Sequence, residues 1–120
     1  MSKLKRFVIA EHRRSDGVHW DFMLEAEGVL HTWRLAVGPA EIGSTEQKAE
    51  KIADHPMRFL TYQGPVQNNA GSVKIADRGQ YLPLDKQSGR VEFELDGEIL
   101  KGRFILEQIE CVQWVLRKTI

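Results

Sequence analysis

The stretch HWDFMLE, residues His19 to Glu25, alternates between apolar and polar side chains. Neighbouring side chains of a strand point to opposite faces, so an alternating stretch has one apolar and one polar face. The apolar face consists of Trp20, Phe22 and Leu24. The polar face consists of His19, Asp21, Met23 and Glu25. The pattern predicts a strand that packs one face against a core and leaves the other face for chemistry.

Most of the chain repeats this behaviour in short segments separated by turns. Strands are predicted at Phe7–Ala10, Val18–Glu25, Val29–Val37, Arg58–Gln63, Ser72–Ala76, Gln80–Leu84, Arg90–Leu95, Ile99–Leu106 and Val112–Arg117. The dipeptides Glu27-Gly28 and Asp96-Gly97 indicate tight hairpin turns, because glycine and aspartate suit the left-handed backbone of such turns.

One segment has helical features instead. Ser44-Thr45-Glu46-Gln47 has the form of a capping box, and Glu46–Ala53 has a helix-forming composition. Pro56 then requires the helix to end near His55. Roughly eight or nine strands and one helix predict a mostly β fold, a small antiparallel β-barrel with one short helix.

Size and charge restrict the possible functions. The 120 residues suit one domain over residues 1–120, and 17 basic residues balance 17 acidic ones, which gives a net charge of zero. This balance argues against a protein that binds duplex DNA mainly by charge.

The single Cys111 lies in an apolar stretch, where we expect a core residue, and excludes an internal disulfide. No segment reads as a signal peptide or membrane span, so we expect a cytoplasmic protein with no membrane partner.

The polar face of the opening stretch suggests a metal site. His19 and Asp21 project the same way with Cβ atoms roughly 6–7 Å apart, and one divalent ion can be shared at that spacing. The loop Arg13–Gly17 could fold His12 back beside the pair, giving two imidazoles and one carboxylate. A structural hydrogen-bonded pair on the protein surface is the alternative.

Several motifs, in order along the chain, resemble the 3'-phosphoesterase domain of bacterial DNA ligase D. They are FVIAEH (Phe7–His12), VHWDFMLEAEGVLHTW (Val18–Trp33), Gly38-Pro39, ADHP (Ala53–Pro56), YQGPV (Tyr62–Val66), ADRGQY (Ala76–Tyr81) and FELDGEILKGRFIL (Phe93–Leu106). The similarity covers about residues 7–106. The ordered set is far more specific than any one motif.

The resemblance implies a small β-barrel that carries a divalent metal, usually Mn²⁺ with Zn²⁺ as a second candidate. It implies removal of a 3'-ribonucleoside or 3'-phosphate from DNA or RNA ends, leaving a 3'-hydroxyl. The family's metal ligands fall on His12, His19 and Asp21, and its phosphate-contacting histidine falls on His55, the fourth member of the predicted catalytic set. Nucleic-acid 3' ends are the implied partners, together with a separate DNA ligase or other repair protein.

The sequence departs from the family pattern where a substrate would bind. Met23 replaces the arginine of D-F-R-L-E, Val37 a lysine, Phe59 a tyrosine and Ala53 a glutamate. Because donors to phosphate are lost, we expect activity to be weakened or redirected. A two-residue Glu27-Gly28 turn would place Arg34 opposite Asp21, where it could bind phosphate in place of the missing arginine. A solvated surface arginine is the alternative.

Two other functional classes remain open. The first is a catalytically degenerate domain that keeps the fold and metal site but only binds a nucleic-acid end or a protein. The second is a small non-haem iron oxygenase, because His19, Asp21 and the distant His55 formally match a two-histidine, one-carboxylate triad.

Overall fold

The computed structural model describes residues 4–68 and 70–119. The strands are β1 (Lys5–Arg14), β2 (Gly17–Ala26), β3 (Val29–Leu35), β4 (Gln47–His55), β5 (Gly64–Pro65), β6 (Ser72–Gln87), β7 (Arg90–Gly97), β8 (Lys101–Glu110) and β9 (Gln113–Lys118). A 3₁₀ helix occupies Met57–Leu60. Among the described residues, no helix has the length and apolar character needed to cross a membrane.

The strands form one antiparallel sheet that closes into a ring. The order is β1-β2-β3-β4-β9-β8-β7-β6, with β5 attached to β6, and β6 also pairs with β1. The predicted mostly β fold is therefore confirmed. The predicted Glu27-Gly28 turn is confirmed too, since Ala26 pairs with Val29 and the two turn residues have φ of 57° and 82°. A glycine suits the second position because φ is positive there.

The helix predicted over Glu46–Ala53 is wrong, because the segment forms β4, between β3 and β9. Its capping residues make other bonds. Ser44 Oγ donates to Glu41 O, and the Gln47 side chain donates to Thr45. Because β4 pairs with a strand on each side, every second side chain of β4 packs against its neighbours. This packing outweighs the local preference for a helix.

Four further expectations need correction. The strand predicted over Arg58–Gln63 does not form, because its first half belongs to the 3₁₀ helix. The strands predicted at Ser72–Ala76 and Gln80–Leu84 are parts of the continuous β6. Cys111 is exposed, in the turn between β8 and β9, instead of in the core. The β7–β8 hairpin exists, but its turn residues are Glu98 and Ile99, because Gly97 N donates to Leu100 O at 2.8 Å.

The sheet has an apolar cluster on each face. The interior cluster draws on every strand except β5 and includes Phe22, Trp33, Phe93 and Leu116. The second, which we call the outer cluster, draws only on β1, β2, β3, β6 and the 3₁₀ helix. Its members are Val8, Ala10, Met23, Leu30, Phe59, Leu60 and Val73. Residues alternate between the two clusters along β1 and β2, so the outer cluster lies outside the ring, beneath the 3₁₀ helix.

A buried carboxylate holds the β7–β8 turn. Asp77 is fully buried and accepts backbone N–H bonds from Arg78, Glu98, Ile99 and Leu100 at 2.8–3.0 Å. These bonds compensate the charge of the carboxylate and pair the backbone N–H groups of the turn. A carboxylate can be buried only when its charge is compensated in this way.

We expect Asp77→Ala to lower the free energy of unfolding by about 3 kcal/mol or more, because each buried donor left unpaired costs about 1–3 kcal/mol. Asp77→Asn keeps an acceptor oxygen and should lose less. Urea denaturation measures both, with the exposed Asp16→Ala as the control. Equal midpoints for Asp77→Ala and Asp16→Ala would contradict this role.

Candidate metal centre

The first hairpin brings three polar side chains together outside the ring. In the β1–β2 pairing, His12 lies opposite His19, and Ala10 lies opposite Asp21. These positions continue the alternation that places Val8, Ala10 and Met23 in the outer cluster. The three side chains therefore share the outer face of the sheet, at the end of that cluster.

The donor atoms of the three residues converge. One donor atom from each of His12, His19 and Asp21 lies within 4.8 Å of the others. His12 Nδ1 is 3.1 Å from His19 Nε2 and 3.8 Å from Asp21 Oδ2, and His19 Nε2 is 3.3 Å from Asp21 Oδ1. Two imidazoles and a carboxylate at these distances could hold a metal ion.

A backbone carbonyl orients His12. His12 Nε2 lies 2.6 Å from Ala70 O, so this nitrogen carries the proton and Nδ1 presents its lone pair to the other two residues. Gly71 makes the approach possible. Its φ is 91°, and a Cβ there would stand 1.9 Å from Arg13 O. Sequence reasoning could not have found this contact, because every residue has a backbone carbonyl group.

The electrostatics of the cluster favour a cation. Asp21 is only 3% exposed, and its Oδ1 accepts no hydrogen bond from the described residues. A buried carboxylate without full compensation is costly. Two nitrogen lone pairs facing the same carboxylate repel one another unless a proton or a cation lies between them. The donor set therefore fits a divalent ion.

His19 is disposed to remain neutral. Burial lowers the pKa of His19, Asp21 opposes that shift, and Arg34, His12 and Arg14 reinforce it. Neutral imidazole is the form that binds metal, so the environment of His19 suits a ligand.

Arg34 lies beside the carboxylate. The β2–β3 register pairs it with Asp21, as the turn predicted, and Arg34 Nε is 4.0 Å from Asp21 Oδ1. This Nε is buried and has no hydrogen-bond acceptor among the described residues, while the side chain as a whole is 38% exposed. Nε is thus turned toward the carboxylate, and the exposed part of the guanidinium can donate to a ligand at the rim of the site.

His55 is not part of the group formed by His12, His19 and Asp21, which we call the metal cluster. Its Nδ1 lies 3.0 Å from Ala53 O and 3.0 Å from Thr32 Oγ1, and that hydroxyl donates its own proton to Leu30 O. Nδ1 therefore carries the proton, and Nε2 is left for another partner. Because His55 is outside the group, the iron triad of His19, Asp21 and His55 does not form among the described residues.

The departures from the family pattern have structural consequences. Met23 and Phe59 are buried in the outer cluster, and Val37 packs against the interior cluster. Ala53 is exposed, and its carbonyl contacts His55. Met23, which the alternation assigns to the polar face, is thus covered by apolar neighbours.

Comparison with known proteins identifies the family of this chain. The family model for the DNA ligase D 3'-phosphoesterase domain matches residues 10–108, which include the metal cluster and His55. The chain belongs to the DNA ligase D 3'-phosphoesterase domain family.

Individual relatives extend the match to nearly the whole chain. The multifunctional non-homologous end joining protein LigD of Pseudomonas aeruginosa is 34% identical over 96% of this chain. The LigD non-homologous end joining DNA repair protein of Mycobacterium tuberculosis is 31% identical over 93% of it. The matched regions make up only 15% and 16% of these two relatives.

We expect Mn²⁺ or Zn²⁺ to bind the chain with one-to-one stoichiometry, as measured by isothermal titration calorimetry. His12→Gln, His19→Gln or Asp21→Asn each removes a ligand, and should weaken binding by more than the ~10–100-fold typical of losing an outer-shell partner. His31→Gln, outside the cluster, is the matched control. Unchanged affinity in all three ligand variants would exclude this site.

Proposed function

We propose that this domain is a metal-dependent phosphoesterase that acts on 3' ends of DNA or RNA. It removes a 3'-ribonucleoside or a 3'-phosphate and leaves a 3'-hydroxyl. Membership of the family supports the reaction, and the convergence of His12, His19 and Asp21 is the observation on which the proposal rests. The chain's proposed partners are nucleic-acid ends and a separate DNA ligase or other repair protein, and its proposed compartment is the cytoplasm.

In this proposal, His12 Nδ1, His19 Nε2 and the Asp21 carboxylate hold one divalent ion. Mn²⁺ is the proposed ion, and Zn²⁺ is accepted by the same donors. When bound, the ion supplies Lewis-acid stabilisation of charge on a phosphate oxygen. Ala70 O keeps His12 in the tautomer that this role requires.

His55 completes the proposed catalytic set, and Arg34 is the proposed phosphate-binding residue beside it. Arg34 binds a non-bridging phosphate oxygen, because its guanidinium lies next to Asp21 and is partly open to solvent. His55 contacts phosphate or donates a proton through Nε2, since Thr32 and Ala53 fix its other nitrogen.

A second candidate is a degenerate domain that binds a nucleic-acid end or a protein without turnover. The burial of Met23 and Phe59 favours it, because apolar side chains fill positions where the family has an arginine and a tyrosine. It predicts a folded chain that takes up metal but forms no product.

We expect a labelled DNA strand with a 3'-phosphate to be converted to the 3'-hydroxyl form in the presence of Mn²⁺. Asp21→Asn should abolish conversion, because it weakens the hold on the ion. Glu11→Gln on the neighbouring strand is the matched control. If no Mn²⁺-dependent product forms, the proposed activity is wrong and the degenerate domain is favoured.

Arg34→Ala should lower kcat/KM by about a hundredfold, the usual cost of losing one donor to a developing anion. Arg34→Lys retains the charge and should recover part of the loss. Arg103→Ala, an exposed arginine on β8, is the control. Equal kcat/KM values for Arg34→Ala and Arg103→Ala would show that Arg34 does not bind the substrate phosphate.

A further inference from the structure

A small cavity of about 280 Å³ opens beside the metal cluster. Its walls come from three neighbouring strands: Val18 and His19 of β2, Arg34 and Leu35 of β3, and Lys48 and Glu50 of β4. We call it the β2–β4 pocket. His19 and Arg34 belong to both the pocket and the metal centre, so a ligand in the pocket lies next to any ion held there.

The register of β4 explains why Lys48 lines this pocket. Arg34 pairs with Glu50, and Leu35 pairs with Ala49. Ala49 is buried in the interior cluster, so its neighbours Lys48 and Glu50 project to the outer face. The same pairing that disproved the predicted helix therefore brings a lysine toward the candidate site.

The charges of the pocket suit an anion once the metal centre is filled. Lys48 is exposed and forms no ion pair with any described residue, and the Arg34 side chain is partly exposed beside it. The charges of Arg34 and Lys48 balance those of Asp21 and Glu50, so a divalent ion leaves the combined region with a net charge of about +2. Lys48 offers the mobile ammonium that suits contact with a phosphate.

The pocket lies on the open side of the metal centre. On the other side, the carbonyl of Ala70 contacts His12, and Gly71 passes against the backbone of Arg13. A strand whose end reaches the ion therefore approaches along β3 and β4. The cavity of about 280 Å³ is slightly smaller than the ~300–1,000 Å³ of ordinary small-molecule sites. Its size therefore suits a small group such as one phosphate with its sugar.

We infer that the β2–β4 pocket is a phosphate-binding subsite for the nucleic-acid strand that carries the 3' end, in which Lys48 contacts the internal phosphodiester next to that end while Arg34 contacts the terminal phosphate. Val18, which is 38% exposed, forms an apolar wall beside the sugar. This inference rests on the proposed function, because it places the strand by its 3' end at the metal centre.

Fluorescence anisotropy with a labelled single-stranded DNA that ends in a 3'-hydroxyl tests the subsite. This strand is the product of the proposed reaction, so it cannot turn over in the presence of Mn²⁺. Loss of one phosphate contact in Lys48→Ala should reduce the salt slope of log Kd by about 0.7, and weaken binding about fivefold at 0.1 M salt.

Two further variants make the result decisive. Lys48→Arg keeps the charge and should bind as the wild type does. Lys86→Ala removes an exposed lysine of β6 outside the pocket, and should also leave binding unchanged. If Lys48→Ala matches Lys86→Ala in affinity and salt slope, the subsite is wrong.

The subsite and the proposed activity can fail separately. Product formation that depends on Asp21, with strand binding indifferent to Lys48, would overturn only the subsite. Strand binding that depends on Lys48, with no product from a 3'-phosphate end, would support the subsite and overturn the phosphoesterase activity.

Discussion

The site depends on one electrostatic constraint, the burial of the Asp21 carboxylate against two imidazoles. Only 3% of Asp21 is exposed, and its Oδ1 has no hydrogen-bond donor among the described residues. Arg34 at 4.0 Å offsets this charge only in part. Such an arrangement is costly in a protein that has no cation to place there, and it becomes favourable when an ion binds all three donors. The geometry of the first hairpin is therefore suited to binding a cation.

The closed sheet supports this site from its other face. The interior cluster fixes the register of β1, β2 and β3, and the alternation of side chains then forces His12, His19, Asp21 and Arg34 outward. The outer cluster covers the adjacent part of the same face under the 3₁₀ helix. A slip of one residue in the β1–β2 pairing would turn these polar side chains into the interior. The packing of the core therefore also determines the geometry of the candidate site.

The sequence was sufficient to predict strand pairing and the two faces of a strand wherever turn residues and the alternation of apolar and polar residues agree. The Glu27-Gly28 turn set the pairing of Asp21 with Arg34, and the alternating stretch around His19 predicted which residues share a face. It failed at Glu46–Ala53, because a capping box is a local signal and β4 is stabilised by pairing with strands distant in sequence. It could not find the Ala70 carbonyl or the role of Lys48, since both follow from tertiary placement. The burial of Met23 also depends on a 3₁₀ helix more than thirty residues away.

The most direct test is an anomalous diffraction experiment on crystals of this chain grown with Mn²⁺. We expect one strong anomalous peak bounded by His12 Nδ1, His19 Nε2 and the Asp21 carboxylate, and no such peak in crystals of Asp21→Asn. Ordered side chains at these three positions with no peak between them, at a concentration of Mn²⁺ that saturates the protein, would contradict it.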